Sequence, residues 1–304
     1  MSELSAHLEE YLRLRRALGF KLEYPGHALP QFLAYLEATG ATKITTELAI
    51  AWAGLAKDAL PVHRAHRLGA VRGFARYLAA IDLETEVPPT GVWSATTQRR
   101  TPFAFSEDDL TNLLARAREL LPAVRGAACE ALFGLLVSTG MRVGEALGLE
   151  SDDLDLAEGV ITIREAKFDR SRIIPLHETA AEALATYARA RDGNVAKRPS
   201  RRFFLTSGGC PLRYQAALNA FIEVTAALGL RDGPVLPRIH DLRHHFAISS
   251  LLEWHRAGLR PENRMAVLST YLGHVHPAGT YWYLSATPEL MELVAARLVE
   301  CGAR

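Results

Sequence analysis

The sequence predicts a mainly helical protein with a small β-sheet, divided into two domains. Its 304 residues exceed the size of most single hydrophobic cores. Apolar residues recur at helical spacing along most of the chain, whereas the two short β-branched segments that suit strands both lie in the second half. Hydrophobic residues make up 49% of the chain and charged residues 23%, so each domain can bury a core.

The first domain, residues 1–98, is predicted to be a bundle of helices. Apolar residues keep helical spacing from Ser5 to about Leu83, with breaks expected at Pro25-Gly26 and Thr39-Gly40. A Thr-Thr-Glu capping signal begins a helix over 45–57, and a proline suited to the first turn begins another over 61–80.

Basic side chains cluster on the helix over 61–80, on the side away from its apolar residues. The arginines of this basic arc are Arg64, Arg67, Arg72 and Arg76. A solvated helix face and a surface that contacts DNA phosphates both account for such an arc. The pattern alone does not separate the two explanations.

A linker is predicted over about 84–105, where helical periodicity stops. Pro88-Pro89-Thr90-Gly91 and a Ser/Thr-rich stretch fill most of it, and Arg99 and Arg100 add positive charge that could bind phosphate. A new helix is expected to begin after Ser106, with Asp109 in the position of a capping-box acid. The second domain is therefore assigned to residues 99–304.

The second domain is predicted to combine helices with one small sheet. Helices are expected over about 107–120, 123–138, 178–191, 214–228, 241–254 and 288–299, with another beginning at Val143. The stretches 159–163 and 172–176 are short, β-branched and separated by polar residues, which is typical of two strands joined by a loop.

Composition indicates the cellular compartment of the protein but does not by itself identify DNA as a partner. The net charge is only +1, so any DNA-binding surface must come from local clustering of basic residues. The three cysteines have no CxxC pair and no metal-ligand spacing, which fits a reducing compartment. With no signal-peptide pattern and no apolar run of membrane length, the protein is expected to be cytoplasmic and to have no membrane partner.

Five short segments of the second domain place a phosphate-binding or proton-transferring side chain beside a structural break. Their candidate residues are Arg142, Lys167, His240 with Arg243, His274, and Tyr283. Taken singly they are weak signals, because Arg142 could be a surface arginine paired with Glu145 and an exposed hairpin lysine often serves only solubility. His240 and Arg243 lie one helical turn apart, so both can face one spot.

In their order and spacing, these segments resemble the tyrosine recombinase (phage integrase) family. That family has an arginine after a helix-ending Thr-Gly, a hairpin lysine, His-x-x-Arg, Leu-Gly-His, and a tyrosine nine residues beyond the last histidine, all of which occur here. The resemblance implies a SAM-like helical core-binding domain followed by an α+β catalytic domain. It also implies a site-specific recombinase that cleaves and rejoins DNA through a covalent 3′-phosphotyrosine, as in integration, excision and transposition.

The resemblance implies a role for each candidate. Arginines stay charged and present a planar fork, so Arg142 and Arg243 would clamp the phosphate oxygens. Tyr283 would attack the phosphodiester, His240 would accept the phenol proton, and Lys167 would protonate the leaving oxygen. No metal or other cofactor is required.

The implied partners are double-stranded DNA recombination sites and further copies of this chain. By the same resemblance, the protein would assemble as a tetramer on DNA. The apolar stripe of the helix from Pro288 could dock into a neighbouring protomer or pack within its own domain.

Several alternatives share these residues. A type IB topoisomerase would use the same chemistry without a partner site, and a catalytically silent relative would bind DNA without cutting it. Tyr281 is a second possible nucleophile, although the spacing favours Tyr283. A metal-dependent nuclease built on His240, His244 and His245 is a weaker alternative, because familiar carboxylate and cysteine ligands are missing around them.

Overall fold

The computed structural model describes residues 3–56, 59–95, 100–164, 171–194, 200–259, 261–273 and 280. The chain divides into two compact units, Met1–Arg100 and Thr101–Arg304. The described residues are mostly helical, with one three-stranded sheet in the second unit, so the predicted fold class is confirmed.

Four helices make up the described part of the first unit. They are α1 Glu3–Ala17, α2 Glu23–Ala38, α3 Thr46–Gly54 and α4 Pro61–Leu78. Helix α4 packs against the other three, and the residues buried between them include Phe32, Ile44, Val71 and Phe74. Burial of these large apolar side chains stabilises the bundle.

One predicted break in this unit is wrong. Pro25-Gly26 lies within the first turn of α2, where a proline is tolerated because its missing N–H has no helical acceptor. The chain instead turns at Leu22, which adopts the left-handed conformation with φ 47°. The break expected at Thr39-Gly40 is confirmed, because Thr39 caps α2 and Gly40 has φ 70°.

The first half of the predicted linker is hydrogen-bonded to the first unit. The Glu86 N–H donates to the Ile44 carbonyl at 2.9 Å, and a Glu86 carboxylate oxygen accepts from the Thr46 N–H at 2.7 Å. The Arg72 guanidinium donates to the Pro88 carbonyl at 2.8 Å and to the Pro89 carbonyl at 2.6 Å. Trp93 packs on the same core, so residues 84–93 belong structurally to this unit.

The described part of the second unit is built around α6, which contacts five other helices. Its helices are α5 Glu107–Leu120, α6 Ala123–Thr139, α7 Val143–Gly148, α8 Glu178–Asn194, α9 Tyr214–Ala227, α10 Ile239–Arg256 and α11 Pro261–Leu272. The predicted cap of α5 is confirmed, because Ser106 and Asp109 exchange hydrogen bonds of 3.1 and 2.9 Å. Helix α11 was not predicted. The helix expected over 288–299 lies outside the described residues.

The small sheet is antiparallel and has the order β1-β2-β3. Its strands are β1 Leu154–Asp155, β2 Val160–Ile163 and β3 Arg172–Pro175. Ile161 pairs with Ile174, and both side chains are buried in the core of the unit. The hairpin therefore holds Arg172, the first residue of β3, at the edge of that core. Among the described helices, none is long and apolar enough to span a bilayer.

Candidate active site

A left-handed glycine places the first candidate arginine. Helix α6 ends at Thr139, and Gly140 follows with φ 60° and donates its N–H to the Leu136 carbonyl at 2.9 Å. A Cβ at position 140 would lie 2.4 Å from the ring of Phe246, so the turn requires glycine for its conformation and for its space. The chain then enters α7 with Arg142 at its N-cap.

Arg142 bridges two segments that are far apart in the sequence. Its guanidinium donates to Glu145 Oε1 at 2.8 Å and to the Gly273 carbonyl at 2.6 Å. These contacts occupy two of the five N–H donors of the guanidinium, and 36% of the side chain is exposed. A partly exposed, permanently charged group of this kind can bind an anion from solution.

Of the candidates that the structure describes, Arg243 is the most deeply buried, with only 2% of its surface exposed. It extends from α10 and donates to the Gly140 carbonyl and to the Leu272 carbonyl, both at 2.7 Å. Arg142 and Arg243 therefore bind the consecutive carbonyls of Gly273 and Leu272. The structure brings together two arginines that stand about one hundred positions apart.

His240 lies one helical turn before Arg243 on α10. Desolvation lowers the pKa of His240, and the nearby charges of Arg243, Arg238 and Arg142 lower it further, against the opposing effect of Asp241. The ring contacts that of His244 edge to face, with 4.7 Å between centroids. His240, Arg142 and Arg243 thus form one positively charged cluster in which the imidazole is held neutral.

Comparisons with known proteins agree on one family. Residues 104–289, more than half of the chain, match the model of the phage integrase family. The protein y4rB of Sinorhizobium fredii, provisionally named an integrase/recombinase, is 40% identical over 98% of this chain and 98% of its own length. The chain belongs to the phage integrase family. It is a site-specific recombinase, an enzyme that cleaves and rejoins DNA.

Solved structures share the fold of this recombinase at low sequence identity. The Tn1549 transposon integrase, solved with transposon right end DNA, aligns with a TM-score of 0.66 and 17% identity over 96% of this chain and 99% of its own. A lambda integrase tetramer bound to a Holliday junction aligns with a TM-score of 0.62 and 17% identity over 92% and 76%. Both have the fold described above for this recombinase.

The structure adds two residues that the sequence did not single out as a pair, Glu145 and Arg172. Arg172 extends from β3 and donates to both carboxylate oxygens of Glu145, at 3.2 and 2.7 Å. Burial opposes ionisation of Glu145, but hydrogen bonds and charge from Arg172 and Arg142 outweigh it and lower the pKa of this carboxyl. No periodic pattern or spacing connects position 145 to position 172, so sequence reasoning had no signal for the pair.

Four predicted positions lie outside the described residues: Lys167, His274, Tyr283 and Arg99. Their roles remain predictions. The same holds for the choice between Tyr281 and Tyr283, because both tyrosines lie beyond the described part of the chain.

The basic arc of α4 is partly used inside its own unit. Arg64 donates to the Ala56 carbonyl at 3.2 Å, and Arg67 donates to the Trp52 carbonyl at 3.1 Å while its guanidinium stacks 3.9 Å from the centre of the Trp52 ring. Arg72 holds the linker as described above. Arg76 and Arg100 are exposed, and their contact with DNA remains a prediction.

His245, one of the histidines that suggested a metal site, has neighbours in α10 and α5. The His245 ring nitrogen lies 3.2 Å from the Ser249 hydroxyl and 3.6 Å from a Glu107 carboxylate oxygen. Within the described ranges, no group of three or more histidine, cysteine or acidic side chains is arranged to hold a metal ion.

Proposed function

We propose that this recombinase cleaves DNA by attack of the Tyr283 phenol on a phosphodiester held by Arg142 and Arg243. The observation that carries the proposal is the convergence of both guanidiniums on the Leu272–Gly273 carbonyls. This turn stands directly before His274 and ten positions before Tyr283 in the sequence. The phosphate site and the nucleophile would therefore be joined by a short segment.

The two arginines would stabilise the charge of the transition state. Attack on a phosphodiester places extra negative charge on the non-bridging oxygens, and preorganised donors that need no rearrangement stabilise that charge best. The carbonyl contacts of Arg142 and Arg243 fix both guanidiniums before DNA arrives. Arg142, which is more exposed than Arg243, would be the more accessible of the two to a phosphate oxygen.

His240 would accept the proton of the attacking phenol. A phenol has an ordinary pKa near 10, so a neighbouring base assists its attack at neutral pH. Desolvation and the arginines around His240 lower its pKa, which favours the unprotonated imidazole that a base requires. Lys167 would protonate the leaving 5′-oxygen, and His274 would bind the phosphate or help to transfer protons.

The covalent 3′-phosphotyrosine would conserve the energy of the broken bond. A second DNA end could then displace the enzyme without a nucleotide cofactor or a metal. We propose the movement of a mobile genetic element as the biological role, supported by the fold shared with a transposon integrase.

The proposed working assembly is a tetramer on two double-stranded recombination sites. Support comes from the lambda integrase structure of similar fold, which is a tetramer bound to a Holliday junction. The predicted stripe of Leu290, Leu293, Val294 and Leu298 would dock into a neighbouring protomer. Arg64, Arg67, Arg72, Arg76, Arg99 and Arg100 are proposed to contact DNA phosphates.

The decisive experiment is a search for DNA linked covalently to the protein. Purified protein is incubated in chelator with nicked duplex DNA taken from both flanks of its own gene, and the products are separated on a denaturing gel. We expect a protein–DNA adduct that survives chelation and disappears in Tyr283→Phe. Tyr281→Phe is the matched control and should keep the adduct.

Three other results would contradict the proposal. No adduct on DNA from its own locus would favour a silent DNA-binding relative, and a cut that chelation abolishes would favour a metal-dependent nuclease. An adduct lost in Tyr281→Phe and kept in Tyr283→Phe would reassign the nucleophile.

A further inference from the structure

The carboxylate of Glu145 lies between two guanidiniums that come from different elements. Oε1 accepts from Arg142 at 2.8 Å and from Arg172 at 3.2 Å. Oε2 accepts from the Arg142 backbone N–H at 3.0 Å and from Arg172 at 2.7 Å. The carboxylate therefore receives four hydrogen bonds, two from each arginine.

Arg172 contributes the geometry of a fork. Its two terminal nitrogens each bind one oxygen of Glu145, which fixes the plane of the carboxylate. Only 14% of the Arg172 side chain and 13% of the Glu145 side chain are exposed, so water competes little for these bonds. The orientation of Glu145 in turn fixes the guanidinium of Arg142.

Arg172 also contacts the turn that both phosphate-binding candidates hold. A Cβ placed on Gly273 would lie 3.0 Å from an Arg172 terminal nitrogen and 3.3 Å from one of Arg142. The backbone at position 273 thus rests against both guanidiniums. Arg172 is the first residue of β3, so it connects this turn to the hairpin whose loop contains Lys167.

We propose that Arg172 is a positioning residue for DNA cleavage, which acts by fixing Glu145 and through it the Arg142 guanidinium. Arg172 does not bind the phosphate, because both of its terminal nitrogens face Glu145 and the side chain is largely buried. The inference rests on the proposed function of Arg142 as a phosphate ligand.

The simplest competing explanation is an ion pair that only stabilises the fold. Such a pair would lower the free energy of unfolding when broken, but it would leave the cleavage rate of the folded protein unchanged. Displacement of Arg142 would in addition lower the cleavage rate of the folded protein, because a misplacement of about 1 Å can lower a rate about 100-fold. The cleavage rate of the protein–DNA complex therefore separates the two explanations.

The experiment compares Arg172→Gln and Arg172→Lys with the unaltered protein. DNA affinity is measured by fluorescence anisotropy on the nicked duplex, folding by circular dichroism, and cleavage as the single-turnover rate of adduct formation at saturating protein. Saturation removes any contribution of binding to the rate. Arg172→Lys keeps the positive charge but lacks the fork of two terminal nitrogens. It can therefore test the inference even if Arg172→Gln does not fold.

We expect Arg172→Gln to lower the cleavage rate about 100-fold and Arg172→Lys to lower it by a smaller factor. DNA affinity should stay within about twofold, because Arg172 makes no phosphate contact. Arg164→Gln is the matched control. Arg164 lies just before the same hairpin loop, is 63% exposed and pairs with Asp153 at 2.8 Å, so its removal should leave the rate unchanged.

A double-mutant cycle tests whether Arg172 acts through Glu145. In a Glu145→Gln background, the further change Arg172→Gln should alter the rate by less than about threefold, since the residue it positions is already altered. Equal effects in both backgrounds would overturn the inference. So would a wild-type rate in folded Arg172→Lys or Arg172→Gln. If the unaltered protein forms no adduct, the proposed function fails and the inference fails with it.

Discussion

The arginines of the α4 arc and those of the candidate active site both bind main-chain carbonyls, but over very different distances along the chain. In α4, Arg64 reaches 8 positions back to Ala56 and Arg72 reaches 17 positions ahead to Pro89. In the second unit, Arg142 and Arg243 reach across 131 and 103 positions. The same chemical contact closes a local bundle in one unit and assembles a site from distant segments in the other.

This difference limits what a cluster of basic residues in a sequence can predict about phosphate binding. The arc of α4 is conspicuous in the sequence, yet at least three of its arginines have partners within their own unit. Arg142 and Arg243 are isolated in the sequence and are brought together only by the fold. Basic clustering in the sequence is therefore a weaker reason than these long-range contacts for proposing a phosphate site.

Replacing Arg243 by lysine should have the largest effect. One ammonium cannot reproduce the fork that bonds the Gly140 and Leu272 carbonyls, so the cleavage rate should fall at least about 100-fold. A buried carbonyl left unpaired also costs about 1–3 kcal/mol, which urea unfolding will measure. Arg67→Lys, the matched change in α4, should keep the rate. Equal losses in both variants would erase the distinction between the two units.

Replacing Gly140 by alanine should destabilise the second unit by about 3 kcal/mol. The left-handed conformation costs about 1–2 kcal/mol for alanine, and the close approach of the new Cβ to Phe246 adds the cost of overpacking. Thermal unfolding measures the change. Gly144→Ala is the control, because no atom lies within 4 Å of a Cβ there. A stable Gly140→Ala protein would mean that the Arg142 turn tolerates other conformations.

Alanine at Arg72 and at Arg76 should separate two uses of the α4 arginines, support of the linker and contact with DNA. Arg72→Ala removes two hydrogen bonds to the linker and should lower the free energy of unfolding by about 1–2 kcal/mol. Arg76→Ala should change the free energy of unfolding by less than about 0.5 kcal/mol. It should weaken DNA binding and lower the salt dependence of DNA affinity by the amount expected for about one phosphate contact. Unfolding curves and salt titrations of DNA affinity test both. If Arg76→Ala leaves the salt dependence of DNA affinity unchanged, the basic arc is a solvated helix face and not a DNA-binding surface.

The smallest effect expected is on the titration of His240. Desolvation and the neighbouring arginines lower its pKa in the folded protein, so cleavage should persist to a lower pH than an ordinary imidazole would allow. Because the unfolded chain takes up this proton first, the contribution of His240 to stability is lost as the pH falls below about 6.5.

A titration of His240 by NMR checks this expectation. Arg142→Gln removes one repelling charge and should raise the pKa of His240, whereas Arg76→Gln in the other unit should not change it. An ordinary or raised pKa of His240 in the unaltered protein would contradict its role as a base that works at low pH.

Local signals in the sequence predicted most elements of the fold, and their failures have physical causes. Pro25 was interpreted as a break although it stands in the first turn of α2, and the actual turn at Leu22 lacks the glycine that usually marks a positive φ. Helix α11 was missed although its buried residues, Met265, Leu268 and Leu272, recur at helical spacing and pack on α10. The exposed Val267 between them makes the apolar residues look like a continuous run, which weakens the helical pattern.

The candidate site was predictable only where a local motif marks it. Arg142, His240 and Arg243 each stand in a short recognisable segment, and the structure brings these three together. Arg172 stands in the same hairpin segment as Lys167 but was given no role, because its contact with Glu145, 27 positions away, appears only in the structure. Long-range ion pairs of this kind leave no spacing that a single sequence can reveal.

The surroundings of Gly273 limit which residue types members of this family can have at this position. Its φ of 66° admits few residue types, and a Cβ there would lie only 3.0 Å from the guanidinium of Arg172 and 3.3 Å from that of Arg142. The glycine of Leu-Gly-His is thus selected by side chains that stand about one hundred or more positions upstream. Homologues with a smaller residue in place of Arg172 should be free to evolve asparagine or aspartate at this position, so the two positions should covary.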